Sequence, residues 1–258
     1  MKKLVVVKLG GSLITDKSKP YTLRRNVLER IGRELSDLDR PIILVHGGGS
    51  YAHPVAKQYR VYEGNITPEH MKGFIETSKI VRRLNLEVVE ALSSSGLKCI
   101  GIPASTIMIT KDKRIETCNL DSILMALNSN IVPVTCGDVV FDRKLGFTVL
   151  SGDTISSYLS IRLKAEKLIY AIDVDGVYVR DRQTGEVKIA EYFTPGMWVE
   201  NLGAANEDVT GGIVGKIEEG FQATERCVEV ILVKGLIEET LRTAVLGGEV
   251  LCTKLKIS

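Results

Sequence analysis

Two short stretches of this 258-residue chain gather the residue types that hold anions. Lys8-Leu-Gly-Gly-Ser12 follows the apolar run Leu4-Val-Val-Val7, and His46-Gly-Gly-Gly-Ser-Tyr-Ala-His53 follows Ile42-Ile-Leu-Val45. Three adjacent glycines lose more conformational entropy than a plain turn requires. With no Cβ in the way, their N–H groups can converge on an anion. A lysine at the end of a buried strand is costly unless negative charge meets it. Lys8 is therefore a candidate for a phosphate chain that approaches Gly10, Gly11 and Ser12, with a solvated lysine before a plain turn as the equal alternative. Lys17, in Thr15-Asp-Lys17, taken alone reads as a surface lysine. His46 reads as a packed, hydrogen-bonded histidine. His53 lies a short turn beyond the glycines, where a helix is expected to begin; a helix N-terminus favours anions and an imidazolium adds a donor and a charge. A cap histidine with no ligand is the plainer alternative. His70 has no such context and is expected on the surface.

Three further segments extend the pattern. Ser151-Gly-Asp153 opens a predicted helix, where Asp153 serves either as an ordinary N-terminal charge or as the carboxylate that orients Lys8 and Lys17. Asp173-Val-Asp-Gly176 starts like a calcium loop but lacks the downstream glutamate and follows a strand, so calcium is rejected. Its aspartate pair suits ribose hydroxyls or a metal–nucleotide complex. Asp208-Val-Thr-Gly-Gly-Ile-Val-Gly-Lys216 places Gly211 and Gly212 at a helix start with Lys216 just inside it, a second anion cradle. There is no Ser-His-Asp or Cys-His set and no metal-ligand cluster. Two cradles, three lysines and a histidine fit phosphoryl transfer, in which a protein mainly positions groups and neutralises charge. One cradle would hold the donor phosphates and the other the acceptor. An acceptor that is already an anion needs no general base.

The elements that must position these residues are short apolar runs ending in Gly or Asp, separated by helical patterns. The runs continue with Cys99-Ile-Gly-Ile-Pro103, Ile131-Val-Pro-Val-Thr135, Leu168-Ile-Tyr-Ala-Ile172 and Val228-Glu-Val-Ile-Leu-Val233. Helices are predicted over Leu23–Ser36, Glu69–Ser95, Thr154–Lys164 and Gly212–Arg226. Nearly all-apolar strands alternating with helices predict a mainly parallel sheet covered on both faces, whose ligands bind outside the carboxyl ends of the strands. Those ends are where the glycines, lysines, histidines and aspartates fall. Hairpins are expected at Ile107–Glu116, Val139–Leu150 and Val177–Ile189, and a lobe boundary near Ala165.

Composition narrows the function classes. A formal net charge of +2 gives no global field for nucleic acid or an anionic membrane. Five widely spaced cysteines without a Cys-x-x-Cys argue against a zinc site or a disulfide framework and for a reducing compartment. Met1-Lys-Lys-Leu-Val-Val-Val7 could open a signal peptide, but Lys8 ends the apolar run too soon, so it reads as a strand. No run reaches the roughly 20 apolar residues of a membrane-spanning helix.

On Lys8-Leu-Gly-Gly-Ser-Leu-Ile-Thr-Asp-Lys17, His46 to His53, Gly137-Asp138, Ser151-Gly-Asp153, Asp173-Val-Asp-Gly-Val177 and Asp208 to Gly212 with Lys216, the chain resembles the amino acid kinase superfamily over essentially its whole length. Within it the chain is most similar to archaeal-type isopentenyl phosphate kinases. The specific signal is His53, which in that family contacts the phosphate of isopentenyl phosphate; the relatives that act on carboxylates lack it. The resemblance implies an open αβα sandwich with a mainly parallel central sheet and small β-hairpins. It implies one domain, 1–258, with an acceptor lobe over about 1–165 and a nucleotide lobe over about 166–258. It also implies ATP with Mg²⁺, a cytoplasmic homodimer, and a place in isoprenoid biosynthesis (the mevalonate pathway). Lys8 and Lys216 would bind the transferring and nucleotide phosphates, and Lys17 would assist at the β/γ bridge. Gly47, Gly48, Gly49 and His53, with Ala52 and Gly152 beside them, would bind the acceptor phosphate. Asp153 would organise the lysines. Gly10, Gly11, Ser12, Asp173, Asp175, Gly176, Gly211 and Gly212 would border the nucleotide. Phe74, Thr77 and Val81, at i, i+3 and i+7 of one helix, would face the prenyl tail; an ordinary core stripe is the alternative.

The chain departs from that pattern at Ala52, where glycine is usual, at Thr154, which replaces a frequent acid, at Ile172, in place of threonine, and at Lys234, in place of asparagine. The nearest rival reading is a kinase of another small phosphate or phosphonate, similar to the fosfomycin-resistance kinases, which would need no greasy cavity. A non-catalytic nucleotide-binding protein on the same fold would be expected to have lost a phosphate lysine, and Lys8, Lys17 and Lys216 are all present.

Overall fold

The computed structural model describes residues 3–180, 184–200 and 212–257. Along the chain run β1 (Val5–Leu9), α1 (Gly11–Ile14), α2 (Arg25–Ser36), β2 (Ile42–His46), α3 (Gly49–Gln58) and α4 (Pro68–Ser94). Then come β3 (Cys99–Gly101), α5 (Ala104–Ile107), β4 (Met108–Lys111), β5 (Arg114–Cys118), α6 (Asp121–Asn128), β6 (Val132–Cys136), β7 (Asp138–Asp142) and β8 (Gly146–Leu150). The second half holds α7 (Gly152–Arg162), β9 (Lys167–Ile172), β10 (Tyr178–Arg180), β11 (Val187–Ile189), β12 (Tyr192–Phe193), α8 (Gly212–Thr224), β13 (Glu229–Lys234), α9 (Thr240–Leu246) and β14 (Cys252–Leu255).

Eight strands form one sheet in the order β12-β14-β13-β9-β1-β2-β6-β3. From β13 through β3 every pairing is parallel; β14 runs antiparallel to β13. β1 lies between β2 and β9, with Lys8 in register with Val45 on one side and Tyr170 on the other. Successive side chains of a strand point to opposite faces, and the two cores follow that alternation. Val5, Val7 and Leu9 pack with Leu28, Ile31, Leu84 and Val88. Val6, Ile43 and Val45 pack on the other face with Ile155, Leu159 and Ile217. Lys8 alternates with Val6 onto this second face, beneath α7 and α8.

The expected hairpins are β4–β5, β7–β8 and β10–β11. The first two join as a small sheet, β5-β4-β7-β8. Of the turn expected at 181–185, residues 181–183 lie outside the described residues. The main sheet crosses position 165 without interruption, since β1 pairs directly with β9.

Two expectations change. α3 begins at Gly49, not at His53, which sits in its second turn. His70 is buried, not on the surface: its Nδ1 accepts from the Thr67 backbone N–H at 3.1 Å, while the Thr67 hydroxyl caps the His70 N–H. The residue closes a capping box at the start of α4, a role glutamate usually fills.

Candidate active site

The carboxyl ends of β1, β2 and β6 and the start of α7 meet at backbone distance, and glycine is what permits it. A methyl on Gly11 would stand 2.7 Å from the Gly49 nitrogen, and one on Gly137 2.8 Å from the Gly152 nitrogen. Gly49 has φ +49, and a side chain there would meet Thr15 Oγ1 at 2.2 Å. That hydroxyl accepts from the Ser50 N–H at 3.0 Å and donates to the Gly11 carbonyl at 2.7 Å, tying the first glycine turn to the second. Gly49→Ala is expected to cost about 1–3 kcal/mol of stability, from strain and collision together. Thermal melts check this, and an unchanged melting temperature would contradict it.

Over these turns opens a cavity of about 400 Å³. Lys8, Gly11, Ser12, Lys17, Gly48, Gly49, Ala52, His53, Thr77, Val81, Gly152, Asp153 and Lys216 line it together, although they span more than two hundred positions of the chain. Lys8 Nζ lies 2.7 Å from Asp153 Oδ1, with both side chains buried, and Lys216 Nζ lies 3.3 Å from Asp153 Oδ2. Lys216 also donates to the Gly212 carbonyl at 3.1 Å. One carboxylate thus holds two ammonium groups, one from the central strand and one from α8. Burial pushes the Asp153 carboxyl up, but Lys8 and Lys216 outweigh it and hold the group below its ordinary value. Three lysines against two aspartates, Asp153 and Asp138, leave a formal surplus of one positive charge in the cavity lining. That surplus is built to receive an anion. His53 leans back over the glycines: a methyl on Gly48 would be 3.5 Å from its Nε2.

His46 has the packed role. Its Nδ1 donates to the Gly47 carbonyl at 3.0 Å, and its Nε2 accepts from the Asn85 amide at 3.0 Å, a pairing that fits the neutral ring. Burial lowers its pKa from 6.5 to about 4. A folded-state value below the unfolded one means the unfolded chain binds the proton first. The contribution is complete above pH 6.5 and is lost as pH falls toward 4, roughly 3 kcal/mol in all. Urea midpoints at several pH values should show His46→Gln with a shallower fall over that window than the parent. Equal slopes would remove this assignment.

The side of the cavity walled by α3, α4 and the β7–β8 hairpin is apolar. Ala52, Val81 and Cys136 pack together, so the extra methyl at position 52 merges into the wall, and α3 still runs from Gly49 to Gln58. Val139 and Val149, opposite each other on β7 and β8, complete the lining. Phe74 is not part of that surface. It stands one layer behind, stacked on Phe147 at 4.6 Å, while Thr77 and Val81 from the same helical stripe do face the cavity.

Gly10, Asp173, Asp175, Gly176 and Gly212 lie outside this cavity, along the same edge of the sheet. Gly10 caps α1 and donates to the Ala171 carbonyl at 2.8 Å. Gly176 is pressed against β14, where a methyl would be 2.7 Å from Thr253 Oγ1. Asp208 and Gly211 lie outside the described residues.

Two carboxylates were given no role from the sequence: Glu219, and Asp138 of the Gly137-Asp138 motif. Glu219 accepts from the Thr154 hydroxyl at 2.9 Å, and Ser157 donates to the Glu219 carbonyl at 2.7 Å. An acid is thus present beside position 154 after all, but it arrives from α8, one helical turn after Lys216. Burial raises the Glu219 pKa. Asp138, which lines the cavity, accepts from the Ser105 N–H and hydroxyl and from the Val139 N–H. Burial raises it as well. Among the described residues no three His, Cys, Asp or Glu side chains gather as a metal cage.

A mainly parallel sheet with helices on both faces, two cations on one buried aspartate and glycine turns at the strand ends define a class of phosphate-handling enzymes. The chain belongs to the amino acid kinase family, whose model matches residues 3–234. It is 35% identical to the isopentenyl phosphate kinase of Methanothermobacter thermautotrophicus over 98% of each protein. It is 32% identical to the isopentenyl phosphate kinase of Arabidopsis thaliana over 83% of this chain and 70% of that one. A crystallised isopentenyl phosphate kinase superposes with a TM-score of 0.84 at 32% identity, covering 98% of this chain and all of the other.

Proposed function

We propose that this protein transfers the γ-phosphoryl group of ATP to the phosphate of isopentenyl phosphate, giving isopentenyl diphosphate and ADP. The observation that carries the reading is the cavity itself: a surplus of positive charge at one end, His53 over the glycine turn beside it, and an apolar wall at the other. Such a site suits a small apolar chain that ends in a phosphate. The similarity to isopentenyl phosphate kinases supports the same substrate.

The acceptor phosphate would rest on the Gly48 and Gly49 backbone with His53 as a donor, near Gly152. Its tail would lie against Ala52, Thr77, Val81, Val139 and Val149, with Phe74 supporting that wall from behind. An oxygen of the acceptor attacks the γ-phosphorus; the bond from that phosphorus to the β-bridging oxygen breaks, and ADP takes the electron pair. The attacking oxygen is already ionised, so no base has to remove a proton. Lys8 would sit between acceptor and donor, and Lys216 and Lys17 would neutralise charge on the departing side. Asp153 positions Lys8 and Lys216 before substrate arrives, which lowers the reorganisation needed during transfer.

The nucleotide would extend from Gly10, Gly11 and Ser12 along the strand ends toward Asp173, Asp175, Gly176 and the start of α8 at Gly211 and Gly212. Magnesium would come on the nucleotide's phosphate oxygens, because the carboxylate nearest the lysines is already engaged by them. Bound there, it would add charge neutralisation. The acceptor side belongs mainly to 1–165 and the nucleotide side to 166–258. A homodimer in the cytoplasm completes the reading; no helix among the described residues is long and apolar enough to cross a membrane.

ADP release with an acceptor panel tests the substrate class. Isopentenyl phosphate is expected to outrun fosfomycin and amino-acid carboxylates in kcat/KM. A preference for fosfomycin would transfer the site to a phosphonate kinase.

A further inference from the structure

Lys234 lies at the carboxyl end of β13, and no step of the proposed transfer uses it. Its position can be read from the register of the sheet. Lys8 pairs with Tyr170 on β9, Tyr170 pairs with Leu232 on β13, and Lys234 pairs with Ile172. Alternation therefore puts Lys8, Tyr170, Leu232 and Lys234 on one face. Tyr170, Ile172 and Leu232 pack there with Ile217 of α8. Two strand spacings and two residues of rise separate Lys234 from Lys8, roughly 12 Å in total. That is too far for the phosphates gathered at Lys8 and Lys216. It is the reach of a nucleoside triphosphate from its transferring phosphate to its sugar and base.

The side chain is held in place. Lys234 Nζ lies 3.0 Å from Asp175 Oδ1, and the Tyr178 hydroxyl donates to Asp175 Oδ2 at 3.1 Å. Both oxygens of the carboxylate are thus engaged, and the hydrogen bond from Lys234 helps keep Asp175 below its ordinary pKa. Asp175 occupies one of the three N–H donors of the ammonium. Lys234 and Asp175 are each 30% exposed, so the pair is reachable from the strand-end groove without being a mobile surface contact.

We infer that Lys234 selects the nucleotide: anchored by Asp175 and Tyr178, its ammonium donates to a hydrogen-bond acceptor on the nucleoside, either the base or the ribose. The inference rests on the nucleotide lying along this edge, as proposed above, but not on the identity of the phosphate acceptor. An ammonium only donates, so it ranks nucleosides by where they present an acceptor.

The test is nucleotide binding by calorimetry without any phosphate acceptor, using ATP, GTP, CTP, UTP and 2′-deoxyATP with the full-length protein. Lys234→Met is expected to weaken ATP by about tenfold and to change the ranking of the panel. A change confined to the base series assigns the contact to the base; a collapsed difference between ATP and 2′-deoxyATP assigns it to the ribose. If Lys234→Met fails to fold, Lys234→Arg keeps the pairing with Asp175 while altering reach, and is expected to reorder the panel. ATP affinity and ranking that both stay within about twofold of the parent in the folded variant would overturn the inference. Failure of isopentenyl phosphate as substrate would leave these binding results untouched.

Discussion

The Lys8→Ala protein is expected to stay folded and to lose about 10²–10³-fold in kcat, the scale set by removing one preorganised charge stabiliser from a transition state. Lys8 is the buried cation of the central strand, and it meets Asp153 at 2.7 Å. Its removal would take away the charge proposed to lie between donor and acceptor. Asp153 still has Lys216 at 3.3 Å, so the carboxylate is not stranded and the stability loss stays moderate. Lys8→Arg is not expected to rescue. A planar guanidinium spreads its charge over a fork and does not reproduce the compact ammonium that Asp153 orients at 2.7 Å. Single-turnover rates check both variants. A near-normal kcat in a folded Lys8→Ala protein would remove Lys8 from the chemistry.

His53→Ala is expected to act on the acceptor alone. The imidazole sits above Gly48, where the acceptor phosphate is proposed to rest, and lines the cavity with Gly49 and Ala52. Losing a charge-assisted donor to a phosphate should lower kcat/KM for the acceptor by about 10–100-fold, while ATP affinity holds. Unchanged kcat/KM would leave the glycine turn as the whole phosphate site, and a parallel loss of ATP affinity would place the histidine on the donor side.

The strand ends were legible because a doubly covered parallel strand reads as an unbroken apolar run, and the first Gly, Lys, His or Asp after it marks the edge where ligands bind. Lys8 and His46 stand at such interruptions, whereas Asp153 was marked by the predicted start of a helix. Position also separated the two histidines: His46 stands at the strand end itself and read as packed, whereas His53 stands beyond three glycines. What stayed hidden depends on partners distant in sequence. Thr154 gave no sign that its missing acid is replaced by Glu219, 65 residues later, because only the packing of α7 on α8 brings them together. Phe74 shares a helical stripe with Thr77 and Val81, but periodicity cannot say which member meets a cavity and which meets Phe147 behind it. Val139 and Val149 were readable as alternating positions of a hairpin, yet the side on which the hairpin folds is a tertiary fact. His70 looked solvent-bound because its only signal was Thr67 three residues earlier, a cap usually recognised by glutamate.

Phosphorus NMR of the purified protein with ATP, Mg²⁺ and isopentenyl phosphate is the most direct test of the central claim. The account predicts loss of the monophosphate resonance and growth of a coupled pair of diphosphate resonances on the prenyl product, in step with ADP. An isopentenyl phosphate signal that persists while ATP is consumed on another acceptor would contradict it.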